Sequence, residues 1–237
     1  GLPLQTPETF AQTLKNALEL NPDRIALFGY AHVPWVKPAQ KSLEQWAIPT
    51  SDEKACLFLE GKSAFENAGY EFIGLDHFAK PDDKLIEARR NGTLHRNFQG
   101  YSTHAGIDLF AVGLTSISET KTSYRQNYKA MPDYQKAVED GILPIEKGIV
   151  LNSEDILRRA VIMDIMCALK VNYGNYGVDF QKKFAEALEK LKAMEEDGLV
   201  ELEEESFRVS PTGRLFLRNI AMLFDGRIAQ HKSTFSK

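Results

Sequence analysis

Cysteine is scarce: Cys56 and Cys167 are the only two in 237 residues. They stand far apart, make no CxxC and fit no metal-ligand spacing, which speaks against a zinc site. Each falls in an apolar helical pattern, so both read as buried free thiols and not as a disulfide. Basic excess is lacking too. The formal net charge is −4, which offers no electrostatic footprint for nucleic acid or an anionic membrane. No apolar run approaches the roughly 20 residues that span a bilayer, and no secretory leader is evident, so the expected compartment is the cytoplasm. HExxH, a strand-to-helix GxGxxG, GxxxxGK and GxSxG are all missing. Metal hydrolysis on a helix face, phosphate cradling by a glycine-rich loop and a serine-nucleophile elbow are therefore unsupported. An initiating Met is absent as well. Gly1-Leu2-Pro3 looks like a turn that should follow a strand, and the chain reads as a fragment of a longer protein.

What is present is an ordinary globular composition, 43% hydrophobic and 26% charged. Thr6-Pro7-Glu8 is a helix start: a capping hydroxyl, Pro at the first helical position and an acid near the positive end. "RIALFGYA", residues 24–31, reads as a short strand buried on both faces. The Pro- and Trp-bearing stretch from His32 to Thr50 has the length of a lid or binding loop. Thr50 and Glu53 make a capping box for a helix that stops at Gly69. "YEFIGLDHFA" reads as a second strand ending in Asp76-His77. Pro81-Asp82-Asp83 opens a further helix, and "DLFAVGLTSIS" reads as a third strand. This alternation predicts βα units on a parallel sheet, with ligands near Ala31, His77 and Ile117 at strand ends. A full eight-fold barrel takes about 250 residues. Residues 1–150 are thus expected to be the back of a barrel, or an open sheet missing strands.

From about Asn152 the pattern changes to helix, helix, an acidic hairpin and a last apolar helix, a winged-helix-like layout over 151–237. The hairpin "LVELEEESFRVS" carries Glu201, Glu203, Glu204 and Glu205, which phosphate would repel, so DNA binding is disfavoured.

Within Leu94–Ser118, "LHRNFQGYSTHAGIDLFAVGLTSIS", polar groups crowd together at a density that is costly to bury unless something satisfies them. This stretch, with "GLPLQTPETF", "FGYAHVP", "GYEFIGLDHFAKPDD" and "DGLVELEEESFRVSPTGRLFLRNIAMLFD", resembles the oxygen-independent coproporphyrinogen III oxidases, in order over nearly the whole chain. "HRNFQGY" with "DHFA" upstream separates this resemblance from the haem-chaperone branch of the same superfamily.

The resemblance implies a radical S-adenosylmethionine enzyme on a three-quarter barrel, in which a C-x3-C-x2-C motif holds a 4Fe–4S cluster. The cluster reduces S-adenosylmethionine to a 5′-deoxyadenosyl radical, which takes a hydrogen from a propionate of coproporphyrinogen III. Loss of CO2 and one electron leaves a vinyl group, and two rounds give protoporphyrinogen IX. The resemblance further implies that Ile117 packs on a first S-adenosylmethionine, that the Ala31 backbone contacts a second, and that Gln99 is an active-site residue. His95 and Arg96 are added as substrate-binding candidates, because a cation beside a tetracarboxylate gives charge-assisted pairing. The cysteine motif is absent, so no metal-binding residue is assigned, and the chain alone is expected to be inactive and prone to self-association through exposed strand edges. The electron donor is not indicated. The alternatives are a haem-chaperone paralogue and a haem- or partner-binding module.

Overall fold

A computed structural model describes residues 1–228. The described residues divide into two compact units, residues 1–90 and residues 91–228. The expected boundary at residue 150 falls inside the second unit, and residues 229–237 of the expected C-terminal segment lie outside the described residues.

The first unit runs α1 (Pro7–Glu19), β1 (Arg24–Ala26), a 3-10 helix (Pro38–Gln45), α2 (Ser51–Asn67), β2 (Glu71–Gly74), β3 (His77–Ala79) and α3 (Lys84–Arg90). Local chemistry sets the helix starts. The Thr6 hydroxyl accepts from the Thr9 N–H at 3.3 Å, with Pro7 next in line. Thr50 and Glu53 cap reciprocally, the Thr50 N–H donating to Glu53 at 2.7 Å and the Glu53 N–H to the Thr50 hydroxyl at 3.3 Å. The sheet order is β1-β3-β2, and both pairings are antiparallel. Buried Phe65, Phe72 and Phe78 form its core with Phe10, Leu14 and Leu57. A fully buried side chain of this kind contributes about 1.5–3 kcal/mol.

Three sequence expectations are corrected here. "YEFIGLDHFA" is a hairpin, not one strand: the chain reverses at Leu75-Asp76, where Leu75 has a φ of 55°, so His77 begins β3 and does not end a strand. β1 is not buried on both faces, for Arg24 and Ala26 are exposed and only Ile25 is half-buried. Its apolar continuation leaves the sheet after Leu27, whose N–H bonds the Asp76 carbonyl at 2.7 Å. Finally, no parallel pairing occurs among the described strands.

The second unit begins with the hairpin β4 (His95–Asn97) and β5 (Gly100–Ser102). A three-stranded antiparallel sheet follows: β6 (Ile117–Glu119), β7 (Ser123–Asn127) and, after α4 (Met131–Glu139), β8 (Ile145–Val150). The expected third strand therefore shrinks to Ile117–Glu119 plus an isolated bridge from Leu109 to Glu119. Of the intervening apolar residues Phe110 and Val112 are exposed, Val112 at 91%, while Ala111 and Leu114 are half-buried. Composition does not report burial where the chain finds no apolar partner.

α5 (Ser153–Cys167), capped by Asn152 and Asp155, then leads through β9 (Lys170–Asn172), α6 (Phe180–Lys183) and α7 (Ala185–Glu196). The acidic hairpin β10 (Val200–Leu202) and β11 (Ser206–Val209) forms as expected, and β9 adds to it as a third strand. α8 (Leu217–Met222) closes the described chain. α5 packs on α8, β4 and β9. Phe184, Phe207 and Phe224 meet beneath it, with ring centroids 5.4 and 5.7 Å apart.

Candidate functional site

β4 is extended, so successive side chains alternate and His95 and Arg96 point to opposite faces. His95 lines a cavity of about 310 Å³; Arg96 does not. The Arg96 guanidinium lies 4.8 Å from the ring centroid of Tyr101, its partner across the hairpin. Its Nη1 is buried and has no hydrogen-bond partner among the described residues, so the ring face is what offsets the buried cation. The Tyr101 hydroxyl in turn donates to the Met166 carbonyl at 3.0 Å, which ties the hairpin to α5.

One wall of the cavity is a single face of α5: Ile156, Arg159, Ala160, Met163 and Asp164, spaced by three and four residues. The other comes from the end of β6, Glu119 to Lys121. Arg159 fastens the two, donating to the carbonyls of Thr120 at 3.1 Å and Lys121 at 2.5 Å. Glu119 is buried and accepts from the Tyr124 hydroxyl at 3.3 Å. The Tyr176 hydroxyl donates to Asp164 at 2.5 Å. Burial first, and that hydrogen bond second, push the Tyr176 phenol far up and keep it protonated. Burial pulls the His95 pKa down, with Arg159 adding to the effect and Glu119 opposing it. His95 is therefore a neutral imidazole at neutral pH, able to donate and to accept.

The other expected site residues lie as follows. Gln99 is exposed at the hairpin turn, where its N–H donates to the Asn97 side chain at 2.9 Å. Ile117 is half-buried on β6, opposite Gln126, on the same strand face as Glu119. Ala31 is exposed in the first unit. The structure thus associates His95 with the Ile117 strand through a shared cavity. Glu119, Arg159 and the Tyr176–Asp164 pair escaped the sequence reading. Asp164, a carboxylate inside an apolar helical stripe, was the one signal that could have found them.

The thiols correct another expectation. Cys167 is buried, but Cys56 is exposed on α2. Among the described residues no group of three or more His, Cys, Asp or Glu could hold a metal ion. A cluster ligand must also be a thiolate, whereas burial pushes the Cys167 thiol up to about 12. The residues described here do not fit an iron–sulfur cluster. A thiol reagent at pH 8 should modify Cys56 rapidly and leave Cys167 untouched until denaturant is added; equal rates in the folded chain would contradict the structure. An unfolded thiol ionises at about 8.5. Between that value and about 12 the unfolded state binds fewer protons than the folded one, so this group makes stability fall as pH rises.

The chain is similar to proteins named oxygen-independent coproporphyrinogen III oxidase. It is 43% identical to the one from Synechocystis sp., over 98% of this chain and 52% of that protein. It is 41% identical to the one from Thermostichus vulcanus, over 100% of this chain and 75% of that protein. The chain belongs to the oxygen-independent coproporphyrinogen III oxidase family. Residues 151–216, from the cap of α5 to the start of α8, match the family described as the HemN C-terminal domain. Among solved structures the chain resembles that of the Escherichia coli coproporphyrinogen III oxidase (HemN), titled a radical SAM enzyme, with a TM-score of 0.89 and 41% identity over 95% of this chain and 53% of that one. The mixed helix-and-sheet fold is therefore that of this oxidase family. The chain spans about half the length of most of the relatives it matches.

Proposed function

We propose that this chain is part of an enzyme that oxidatively decarboxylates two propionates of coproporphyrinogen III to vinyl groups, giving protoporphyrinogen IX in haem biosynthesis. The observation that carries this reading is 41–43% identity, along essentially the whole chain, to proteins of that name. S-Adenosylmethionine, when bound, supplies the group that removes hydrogen from the propionate. The cluster that cleaves it needs cysteines other than those described here.

In this reading the chain provides contacts and shape. The Ile117 side chain packs on one S-adenosylmethionine, the exposed Ala31 backbone contacts a second, and Gln99 at the β4–β5 turn serves as an active-site residue. Neutral His95 offers a hydrogen bond to the substrate. Arg96 is committed to Tyr101, so we assign the substrate contact to His95 and give Arg96 the role of bracing the hairpin. The first unit would complete a three-quarter barrel, with preceding strands joining at β1, which is an edge of its sheet. The second would end in a winged-helix-like cover whose β10–β11 wing pairs Arg208 with Glu203 and so gives nucleic acid little to hold. We place the enzyme in the cytoplasm; no helix among the described residues is long and apolar enough to cross a membrane.

The test uses the full-length protein, anaerobic and with its cluster reconstituted. Supplied with S-adenosylmethionine and a reductant, it should convert coproporphyrinogen III with release of CO2, read as protoporphyrin fluorescence after oxidation. Haem binding without decarboxylation would replace this reading with a binding module.

A further inference from the structure

The stretch from His32 to Thr50 has the length of a lid or binding loop, yet it is folded back on the chain that precedes it. The Val36 and Lys37 N–H groups both donate to the Val33 carbonyl at 2.8 Å, which reverses the chain just past Pro34. The 3-10 helix Pro38–Gln45 then turns two side chains, four residues apart, toward the segment after β1. Gln40 uses both ends of its amide: Oε1 accepts from the Val33 N–H at 2.7 Å, and Nε2 donates to the Ala31 carbonyl at 3.0 Å. Glu44 lies 3.1 Å from Nε2 of His32, whose Nδ1 is 3.4 Å from the Tyr30 hydroxyl. One amide that accepts from Val33 and donates to Ala31 reproduces what a neighbouring parallel strand would do on either side of His32.

The consequence is directional. The Tyr30 carbonyl accepts from Lys54 Nζ at 3.3 Å, so three successive peptide planes, 30–31, 31–32 and 32–33, each have one anchored group. Between those anchors the Ala31 N–H has no hydrogen-bond partner among the described residues, and Ala31 is exposed. An exposed loop would ordinarily sample many orientations, and fixing one beforehand removes that cost from binding.

We propose that Gln40 is a positioning residue: it holds the Ala31 backbone so that its N–H is already aimed at an acceptor atom of S-adenosylmethionine. The 34–46 excursion is a brace, not a lid. This rests on the functional reading above.

The experiment compares full-length wild type, Gln40→Ala and Gln40→Glu by amide exchange at Val33 and by calorimetric titration with S-adenosylmethionine, alongside kcat at saturation. Gln40→Ala should lose Val33 protection and weaken S-adenosylmethionine about fivefold, the worth of one net hydrogen bond. Its kcat should stay within about twofold, because nothing at the reacting atoms is removed. Gln40→Glu keeps the acceptor for Val33 but sets an oxygen against the Ala31 carbonyl, so Val33 stays protected while affinity still falls. Unchanged Val33 exchange in Gln40→Ala would overturn the clamp. Exposed Val33 with unchanged affinity would overturn the positioning role. A wild type that binds no S-adenosylmethionine would overturn the functional reading and this one together, before any variant is needed.

Discussion

Gly213→Ala should destabilise the second unit by about 3 kcal/mol or more, near the top of the range for overpacking. A Cβ there would sit 1.8 Å from the Leu199 carbonyl oxygen, 2.8 Å from its carbon and 3.0 Å from Val209 Cγ1. Neither side can yield cheaply. The Leu199 carbonyl accepts from the Ser210 N–H at 3.0 Å. The Ser210 hydroxyl donates to the Gly198 carbonyl at 2.6 Å and accepts from the Gly213 N–H at 2.9 Å. The clash is thus between two stretches of backbone tied to each other, not with the end of a side chain that could rotate. Urea unfolding followed by far-UV circular dichroism reads the effect. Tryptophan fluorescence would miss it, since Trp35 and Trp46, the only two, lie in the first unit. A shift worth less than about 0.5 kcal/mol, the level of an ordinary surface change, would refute the close approach.

Phe78→Ala should cost the first unit about 3–5 kcal/mol, the usual range for deleting a buried phenylalanine. Phe78 is 1% exposed and pairs with Ile25 on one side and Phe72 on the other. Its ring centroid lies 5.3 Å from that of Phe65 and 5.0 Å from that of Phe72, so its loss removes the middle of an aromatic cluster and both cross-strand partners. Here tryptophan fluorescence is the suitable probe. Phe78→Leu, which fills much of the same space, should cost distinctly less. Equal losses for the two variants would mean that ring–ring contact, and not volume, holds this sheet.

The helices were legible because their signals are local. The caps at Thr6, Thr50 and Asn152 are chemistry between residues three apart, and the fold keeps all three. The strands were legible only in part, and their pairing not at all: the sequence reading offers five, where the fold has eleven among the described residues. An apolar run such as "YEFIGLDHFA" looks continuous, and its reversal depends on Leu75 taking a left-handed conformation that a leucine rarely signals. The exposed residues between Leu109 and Ile117 misled in the opposite sense, being apolar without being covered.

The sequence by itself determined the family, because runs such as "HRNFQGY" and "DHFA" persist along nearly the whole chain, and it determined where helices begin. Tertiary structure alone decided which of His95 and Arg96 meets the cavity. Alternation says that His95 and Arg96 diverge, but only the packing of α5 shows that His95 takes the open side and Arg96 the aromatic one. It alone placed Cys56 outside, joined Glu119 and Arg159 around one space, and turned Gln40 back onto Ala31. Those outcomes depend on contacts between residues nine to some tens of positions apart, which no local periodicity encodes.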